Sequence, residues 1–392
     1  MMAGGRAPRV VIVGGGIIGS CSAWFLRRLG FGGDITVVEK DPSYALCSTA
    51  LSAASIRTQF ESPLNVRMSL YGARFVSSIR DSFGPAADVG YQENGYLILS
   101  GMGSANARLA MVDMQRAEGA DVVALAPLEI ERRFPWISTQ GVALGTYGQA
   151  AEGWFDAWSL LSLVRTSACE MDVRYVAREV TGFDSGPSRV QAVRLADGSR
   201  IPCDWCIMAA GAQSGALTAR LDQPLPVSPR KRTVFSFHAP LKMDHGPMLF
   251  DSSGIWMRPE GQGFIGGVQP PAERDGDATG DFEPDYRLLE GTFWPALAQR
   301  IPAMEALRLQ SAWAGHYEVN TLDHNGIVGP HDTLENLLFA TGFSGHGLMH
   351  APAVGRAIAE FIQQGRYVTL DLTPLGYARI RAGKPLSEEI VY

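Results

Sequence analysis

The chain has 392 residues, of which 46% are hydrophobic and 19% charged, and its 34 basic and 40 acidic residues leave a net charge of −6. This composition is that of a folded globular protein and excludes a disordered chain. There is no Lys/Arg-rich run to bind nucleic acid or an anionic membrane surface. Apolar runs stay far below the roughly 20 residues that a membrane span needs, so we expect neither nucleic acid nor a transmembrane segment.

The N-terminal region has no apolar stretch of the kind that a secretory signal needs. The five cysteines are few and odd in number, which predicts a reducing compartment without a disulfide framework. We therefore expect the cytoplasm, or the mitochondrial matrix in a eukaryote. Cys203 and Cys206 form a C-x-x-C at the start of an apparent strand, so we expect two packed thiols there rather than a redox pair or a zinc site.

The first ninety residues alternate between strand and helix. Residues 9–13 and 34–39 are continuous apolar runs, as in buried parallel strands, and residues 17–30 between them have a helical pattern. Ser62-Pro63 is a helix start, and apolar residues follow at helical spacing as far as residue 79.

The middle of the chain mixes both kinds of structure. Its predicted elements are a strand at 95–99, helices at about 105–119 and 127–134, helix then strand over 153–184, a hairpin over 189–211 around Asp197-Gly198, and short strands at 232–238, 247–250, 254–259 and 262–268. The short strands predict an antiparallel sheet. Residues 270–285 are acidic and rich in Gly and Pro, which predicts an exposed loop, with a mobile lid as the alternative. The last elements are a strand at 336–340 and a helix at about 347–364, separated by a glycine-rich turn.

A dinucleotide-binding motif joins the first strand to the first helix. Gly14, Gly16 and Gly19 provide the tight turn, the close approach to a pyrophosphate and the close helix packing of G-x-G-x-x-G. Glu39 ends the second strand, 20 residues past Gly19, where its carboxylate can accept both ribose hydroxyls. The small, polar stretch 47–57 can wrap a long cofactor, and a second glycine-rich turn at 341–347 precedes a helix, so FAD is favoured over NAD.

Several motifs together resemble one enzyme family. They are VVIVGGGIIG at 10–19, S-T-x-x-S at 48–52, AAGA at 209–212, IWMRPEGQGFIGG at 255–267, WAGHYEVNTLDHNGIVGP at 313–330 and LLFATGFSGHGLMHAPAVGRAIAEFI at 337–362. The chain resembles the D-amino-acid-oxidase-like FAD oxidoreductases, the group that holds the sarcosine oxidases, glycine oxidase and dimethylglycine dehydrogenase. The resemblance spans nearly the whole chain and is specific for fold and cofactor rather than for substrate.

This resemblance implies a mixed α/β (α+β) fold in two interleaved domains. A discontinuous Rossmann-like FAD-binding domain would comprise residues 1–88, 150–220 and 322–392, and an antiparallel-sheet substrate domain residues 89–149 and 221–321. The flavin would lie between them. The residues expected to contact FAD are Gly14, Gly16, Ile17, Ile18, Gly19, Glu39, Lys40, Ser48, Thr49, Ser52, Val180, Ala210, Gly211, Gly342, Gly345, His346, Gly347 and Leu348.

The resemblance also implies residues for the substrate side. Arg57 or Arg258 would hold a substrate carboxylate, for which the guanidinium fork is suited. Trp256 and Tyr317 would form aromatic walls, and His346 would contact the flavin. Each has an alternative: an ion pair for the arginines, and core packing for Tyr317 and His346.

The chain also departs from the family at positions that matter. Gly315 and Leu51 stand where relatives attach their flavin, so we expect FAD to be bound non-covalently. Ile265 and Met349 align with two lysines of monomeric sarcosine oxidase, one of which primes oxygen. We therefore expect oxygen to be a poor acceptor, which leaves an acceptor protein or a quinone. No metal site is expected.

The activity implied is the FAD-dependent oxidation of a small amino or imino acid, with a secondary amine such as an N-alkyl glycine preferred. Hydride transfer to flavin N5 would give an imine that hydrolyses. Two other hypotheses remain open. One is a 2-hydroxy acid dehydrogenase, which would need His316 or His350 as a base. The other is a flavin-bound assembly or interaction protein.

Overall fold

A computed structural model describes residues 6–221, 224–243, 245–386 and 388 of the chain. The strands are β1 Arg9–Val13, β2 Asp34–Glu39, β3 Ser55–Ile56, β4 Tyr96–Ser100, β5 Val122–Leu125, β6 Leu144–Gly148, β7 Gly153–Trp154, β8 Val173–Ala177, β9 Val180–Ser185, β10 Val190–Leu195, β11 Arg200–Pro202, β12 Trp205–Met208, β13 Val227–His238, β14 Met248–Phe250, β15 Ile255–Glu260, β16 Gly263–Val268, β17 Arg308–Asn320, β18 Ile327–Pro330 and β19 Leu337–Thr341. The helices are α1 Ile17–Arg28, α2 Pro63–Ser77, α3 Ile79–Phe83, α4 Ala105–Ala117, α5 Pro127–Arg133, α6 Ala157–Glu170, α7 Ser214–Thr218, α8 Tyr286–Leu288, α9 Trp294–Arg300, α10 Gly347–Gln364 and α11 Tyr377–Arg381.

A sheet of six strands carries the predicted dinucleotide motif. Its order is β18-β19-β12-β1-β2-β8, and neighbouring strands run parallel except for β18 and β19. The central parts of these strands are largely apolar and buried, because helices such as α1 and α10 cover one face of the sheet and strands β9 and β10 cover the other. Helices α1 and α10 lie close together, since a Cβ at Gly355 would come within 2.6 Å of the Cys21 backbone. The sheet is therefore built from widely separated parts of the chain.

A sheet of eight strands lies on the other side of the molecule. Its order is β17-β13-β16-β15-β14-β4-β6-β5, and all neighbours are antiparallel except β14 and β4. The long strands β13 and β17 pair from Val227 opposite Asn320 to His238 opposite Arg308. This register brings Arg232 directly opposite Gly315.

The fold class predicted from the sequence is confirmed, because the molecule combines a mainly parallel sheet with an antiparallel one. The hairpin around Asp197-Gly198 is formed by β10 and β11, which join β9 in a three-stranded sheet. Cys203 and Cys206 are buried free thiols, as predicted. The domain boundaries stay a prediction.

The acidic stretch 270–285 is largely exposed and lacks strand structure, as expected, but it packs against β13 and β17. Lys231 and Arg232 form ion pairs with Asp281 and Asp275 of this stretch. We call residues 270–285 the acidic loop. Over the described ranges, no helix is long and apolar enough to cross a bilayer, and no group of three or more His, Cys, Asp or Glu side chains is placed to hold a metal ion.

Candidate active site

A cavity of about 810 Å³ is lined by residues of both large sheets. One wall is formed by the segments that follow β1, β2 and β12, together with the start of α10. The opposite wall is formed by β13, β15, β17 and the acidic loop. Cavities of this size hold small molecules and cofactors. The edge of the parallel sheet and the face of the antiparallel sheet therefore enclose one site.

The first glycine turn forms part of the first wall. Gly14 has φ +100°, and a Cβ there would lie 2.2 Å from the carbonyl oxygen of Ala209. A Cβ at Gly19 would lie 2.0 Å from the carbonyl oxygen of Gly14, so α1 packs directly under the turn. The N-terminus of α1 consequently faces the cavity through Gly16 and Ile17, where peptide N–H groups favour an anion.

Glu39 lies at the end of β2 and lines the cavity, as the motif predicted. One carboxylate oxygen accepts a hydrogen bond from the Gly15 N–H at 2.8 Å, and the other accepts one from the Asp41 N–H at 2.9 Å. These bonds fix the carboxylate. Each oxygen retains a lone pair that a ribose hydroxyl can use.

The second glycine turn joins β19 to α10. Gly345 has φ +100°, and a Cβ there would lie 2.4 Å from the Tyr317 ring. The turn therefore brings backbone directly against an aromatic side chain of β17. Gly345, Gly347 and Leu348 line the cavity.

Most residues expected to contact the cofactor lie on the cavity wall. They are Gly14, Gly16, Ile17, Ile18, Glu39, Lys40, Ser48, Thr49, Ser52, Val180, Ala210, Gly211, Gly345, Gly347 and Leu348. Gly19, Gly342 and His346 are not among the described residues that line it. The Ile17 N–H donates to Thr49 Oγ1 at 3.2 Å, so the 48–52 segment covers the start of α1.

His346 is buried behind the cavity rather than exposed in it. Its ring packs against Phe60 and His350, with centroids 5.4 and 5.0 Å apart. Neither ring nitrogen has a hydrogen-bond partner within the described part of the chain, and burial holds the pKa of His346 well below its usual value. This placement matches the core-packing alternative, and direct flavin contact by His346 stays a prediction without geometric support.

The two arginines expected to hold a substrate carboxylate are buried and engaged elsewhere. Arg258 donates to the carbonyl oxygens of Ala53 and Pro259 and pairs with Glu260. Arg57 donates to the Gln59 carbonyl oxygen at 2.9 Å, and its guanidinium carbon lies 4.2 Å from the centroid of the Phe60 ring. Neither arginine is among the described residues that line the cavity, so the geometry does not support either as the anchor.

The expected aromatic walls do lie at the cavity. Trp256 of β15 and Tyr317 of β17 both line it. The sequence did not single out Phe282, whose ring stacks on His316 with centroids 4.0 Å apart. It also did not single out Arg232, which lines the same wall. The three consecutive basic residues at 230–232 were the available sequence signal. Which of them lies at the cavity depends on how β13 pairs with its neighbours, which the sequence does not state.

Glu318 is a half-buried residue on the cavity wall that sequence reasoning also missed. It accepts hydrogen bonds from the Gly342 N–H at 2.9 Å and from Thr341 Oγ1 at 2.8 Å. Burial raises the pKa of Glu318. Its side chain thereby fixes the start of the second glycine turn.

Comparison with known proteins gives the family. The profile of the DAO family, described as FAD dependent oxidoreductase, matches residues 9–361. The chain belongs to this family, and it is an FAD-dependent oxidoreductase with FAD as its cofactor.

Relatives agree over nearly the whole length. The chain is 40% identical to FAD-dependent oxidoreductase domain-containing protein 1 of Bos taurus, over 97% of this chain and 86% of the relative. It is 23% identical to the mitochondrial sarcosine dehydrogenase of Mus musculus, over 91% of this chain and 40% of that one. The crystal structure of L-proline dehydrogenase from P. horikoshii superposes with a TM-score of 0.85 at 25% identity, covering 97% and 99% of the two chains.

The cavity fits this cofactor. Gly14 and Gly345 bring backbone to the wall where a side chain would collide with neighbouring atoms. Gly16 leaves space beside Cys47 and Thr49, where a Cβ would be 3.5 Å from each side chain. The nucleotide half of FAD would be held by Glu39, the N-terminus of α1 and the 48–52 segment. The second glycine turn would hold the flavin half, near Tyr317.

Proposed function

We propose that the protein oxidises a small amino or imino acid at the carbon next to nitrogen, with secondary amines such as N-alkyl glycines as the preferred class. The observation that carries this proposal is the composition of the second wall. There Trp256, Phe282 and Tyr317 line the cavity together with Arg232, whose guanidinium carbon lies 5.2 Å from the centroid of the Tyr317 ring, and Gly345 of the first wall packs against that same ring. Such a compartment suits a molecule that has a carboxylate and a small apolar body.

The relatives support the same substrate class. Sarcosine and proline, for which two of them are named, are both secondary amino acids. They share a carboxylate one carbon away from a substituted nitrogen. A compartment with one cation and three aromatic rings would select that common part.

FAD supplies the two-electron acceptor when it is bound. The aromatic rings of the second wall exclude water from the C–N centre, and the polar groups orient the substrate. A neutral amine substrate needs no general base from the protein. Ile265 is buried in β16 and Met349 in α10, so neither position presents a cation that would favour oxygen. We therefore propose that an acceptor protein or a quinone, rather than oxygen, takes the electrons from the reduced flavin.

One observation keeps a 2-hydroxy acid as the second candidate. His316 lines the cavity, and its Nε2 lies 2.7 Å from the carbonyl oxygen of Asp281. Because a carbonyl oxygen only accepts, Nε2 carries the proton and Nδ1 of the neutral ring is left as a base. His350 is buried off the wall against Ser69 and serves this role less well.

The test is an anaerobic titration of the holoenzyme in which loss of the flavin's visible absorbance is followed. We expect sarcosine or L-proline to bleach the flavin faster than glycine does. Tetrahydrofuran-2-carboxylate, which has oxygen in place of the proline nitrogen, should not bleach the flavin. Admission of air should then restore the colour only slowly.

Other outcomes of this titration separate the alternatives. Bleaching by lactate or glycolate but by no amino acid would replace the proposal with the hydroxy acid chemistry. A flavin that dithionite reduces but no member of either panel reduces would contradict both enzymatic hypotheses, and would favour the flavin-bound interaction protein.

A further inference from the structure

Three consecutive basic residues of β13 hold the acidic loop on the antiparallel sheet. Arg230 Nη1 donates to the backbone carbonyl oxygen of Asp275 at 2.5 Å, and Lys231 Nζ donates to Asp281 Oδ2 at 2.6 Å. Arg232 donates from Nη1 and Nη2 to the two carboxylate oxygens of Asp275, at 2.6 and 2.9 Å. The loop therefore has several attachments, of which only some use the Asp275 side chain.

Arg232 differs from its two neighbours because it lines the cavity. Its guanidinium carbon lies 5.2 Å from the centroid of the Tyr317 ring. Its Nε–H is buried and has no hydrogen-bond partner within the described residues. A cation in such a position needs an anionic partner, and Asp275 of the acidic loop supplies that partner.

The Arg232–Asp275 pair has the two-pronged geometry with which a guanidinium binds any carboxylate. The side chain of Asp275 can rotate away while the loop backbone stays in place, because Arg230 holds the Asp275 carbonyl and Lys231 holds Asp281. Arg258 is the contrasting case. Two of its partners are backbone carbonyl oxygens of Ala53 and Pro259, which cannot leave without moving the chain.

We propose that Arg232 binds the substrate carboxylate. Before the substrate arrives, Arg232 is paired with Asp275, so substrate binding exchanges one carboxylate for another. This inference rests on the proposed amino acid oxidation. Arg232 is paired with a carboxylate before the exchange and after it, and a substrate carboxylate that binds the Nε/Nη2 edge would also use the Nε–H that Asp275 leaves without an acceptor. A carboxamide cannot replace Asp275, because it brings no charge, so the competition itself selects for carboxylates.

The first experiment compares two ion-paired arginines on different strands. Arg232→Gln and Arg194→Gln remove the same charge, but Arg194 of β10 pairs with Asp184 and is not among the described residues on the cavity wall. Anaerobic flavin reduction is measured with L-proline against L-prolinamide and with sarcosine against sarcosinamide. Loss of a charge-assisted contact costs about 1.5–3 kcal/mol, or roughly 10- to 150-fold in kcat/KM. We expect Arg232→Gln to lose this factor for the acids alone, and Arg194→Gln to keep the wild-type preference. An undiminished preference in Arg232→Gln overturns the inference.

The second experiment removes the competitor. Asp275→Asn leaves Arg232 in place without its anionic occupant, so we expect the KM for L-proline to fall while kcat is unchanged. The KM for L-prolinamide should change little. A KM for L-proline that is unchanged or raised contradicts the exchange, even if the Arg232 variant fails to fold.

A binding measurement separates failure of this inference from failure of the proposed function. Tetrahydrofuran-2-carboxylate is titrated into the oxidised holoenzyme, and the perturbation of the flavin spectrum is followed. Binding that weakens in Arg232→Gln, tightens in Asp275→Asn and is unchanged in Arg194→Gln supports the exchange whatever the turnover assays show. No binding to the wild-type protein, or equal binding to all variants, overturns it.

Discussion

The two walls of the cavity are built from different materials. On the side of the parallel sheet, the wall is largely backbone, with Gly14 and Gly345 placed where a Cβ would collide with Ala209 and Tyr317. On the side of the antiparallel sheet, the wall consists of side chains, among them Trp256 and Arg232. The first wall depends on conformations that glycine adopts. The second depends on which side chains distant strands bring together.

Under the proposed function, the backbone wall would hold the cofactor and the side-chain wall the substrate. Amino-acid substitutions at the glycines of the backbone wall would change its shape, so this wall stays suited to one ligand. Side chains of the opposite wall can be substituted one at a time without disturbing the glycine turns. The L-proline dehydrogenase and the sarcosine dehydrogenase resemble this chain over more than nine-tenths of its length and are named for different substrates. The contrast predicts that variants of the first wall lose the flavin, while variants of the second wall keep it.

The largest effect is expected at Gly14. In Gly14→Ala the new Cβ would lie 2.2 Å from the Ala209 carbonyl oxygen at φ +100°, so the turn cannot keep its shape. Gly198→Ala is the matched control, because Gly198 has φ +82° but nothing within 4 Å of its Cβ. We expect Gly14→Ala to retain essentially no FAD after gel filtration. The control should keep full flavin and lose only about 1 kcal/mol of stability. If both variants retain the same amount of flavin, flavin binding does not depend on the glycine conformation at position 14.

A smaller effect is expected at Trp256. Removing this side chain takes away apolar contact with the substrate that is equivalent to about 1.5–3 kcal/mol, or roughly 10- to 150-fold in kcat/KM. We expect Trp256→Ala to lose this factor with sarcosine or L-proline while its ratio of flavin to protein stays at the wild-type value. Trp158→Ala, at an exposed tryptophan off the cavity wall, should change neither quantity. If Trp256→Ala loses its flavin as completely as Gly14→Ala does, the second wall also determines flavin binding, and the distinction between the two walls is wrong.

The smallest effect is expected at Cys47, the thiol nearest the first wall. Burial raises the pKa of this thiol, which leaves it a poor nucleophile, and Leu51 and Gly315 carry no atom that could attach a flavin. Acid precipitation should therefore release the yellow colour into the supernatant from wild-type protein and from Cys47→Ser alike. Colour in the wild-type pellet that disappears in Cys47→Ser would show a covalent link at this position.

The backbone wall could be predicted from the sequence because its signals are local. Gly14 to Gly19 lie within six residues, and the strand before them and the helix after them are long and periodic. Glu39 follows from the length of one strand-helix-strand unit. The predicted strands and helices therefore lie close to their observed bounds.

The side-chain wall could be predicted only in part. Trp256 and Arg258 were both expected at the substrate, but Arg258 turns to the Ala53 carbonyl oxygen and only Trp256 lines the cavity. Arg232 reaches the wall through the pairing of β13 with β17 and pairs with Asp275, 43 residues away in the chain. Neither the register nor that partner has a local signal, so Arg57 and Arg258 were assigned from the sequence instead.

The scattered origin of the six-stranded sheet has a consequence for synthesis of the chain. Strand β12, which lies beside β1, also needs β19 on its other side, and β19 begins at Leu337. At about 5–20 residues per second, the ribosome needs roughly 15 to 60 seconds to pass from β2 to β19. During that interval one edge of the growing sheet stays unpaired, first that of β1 and then that of β12. FAD that binds only the folded protein stabilises it by mass action, so a shortage of the cofactor would lower the yield of folded protein.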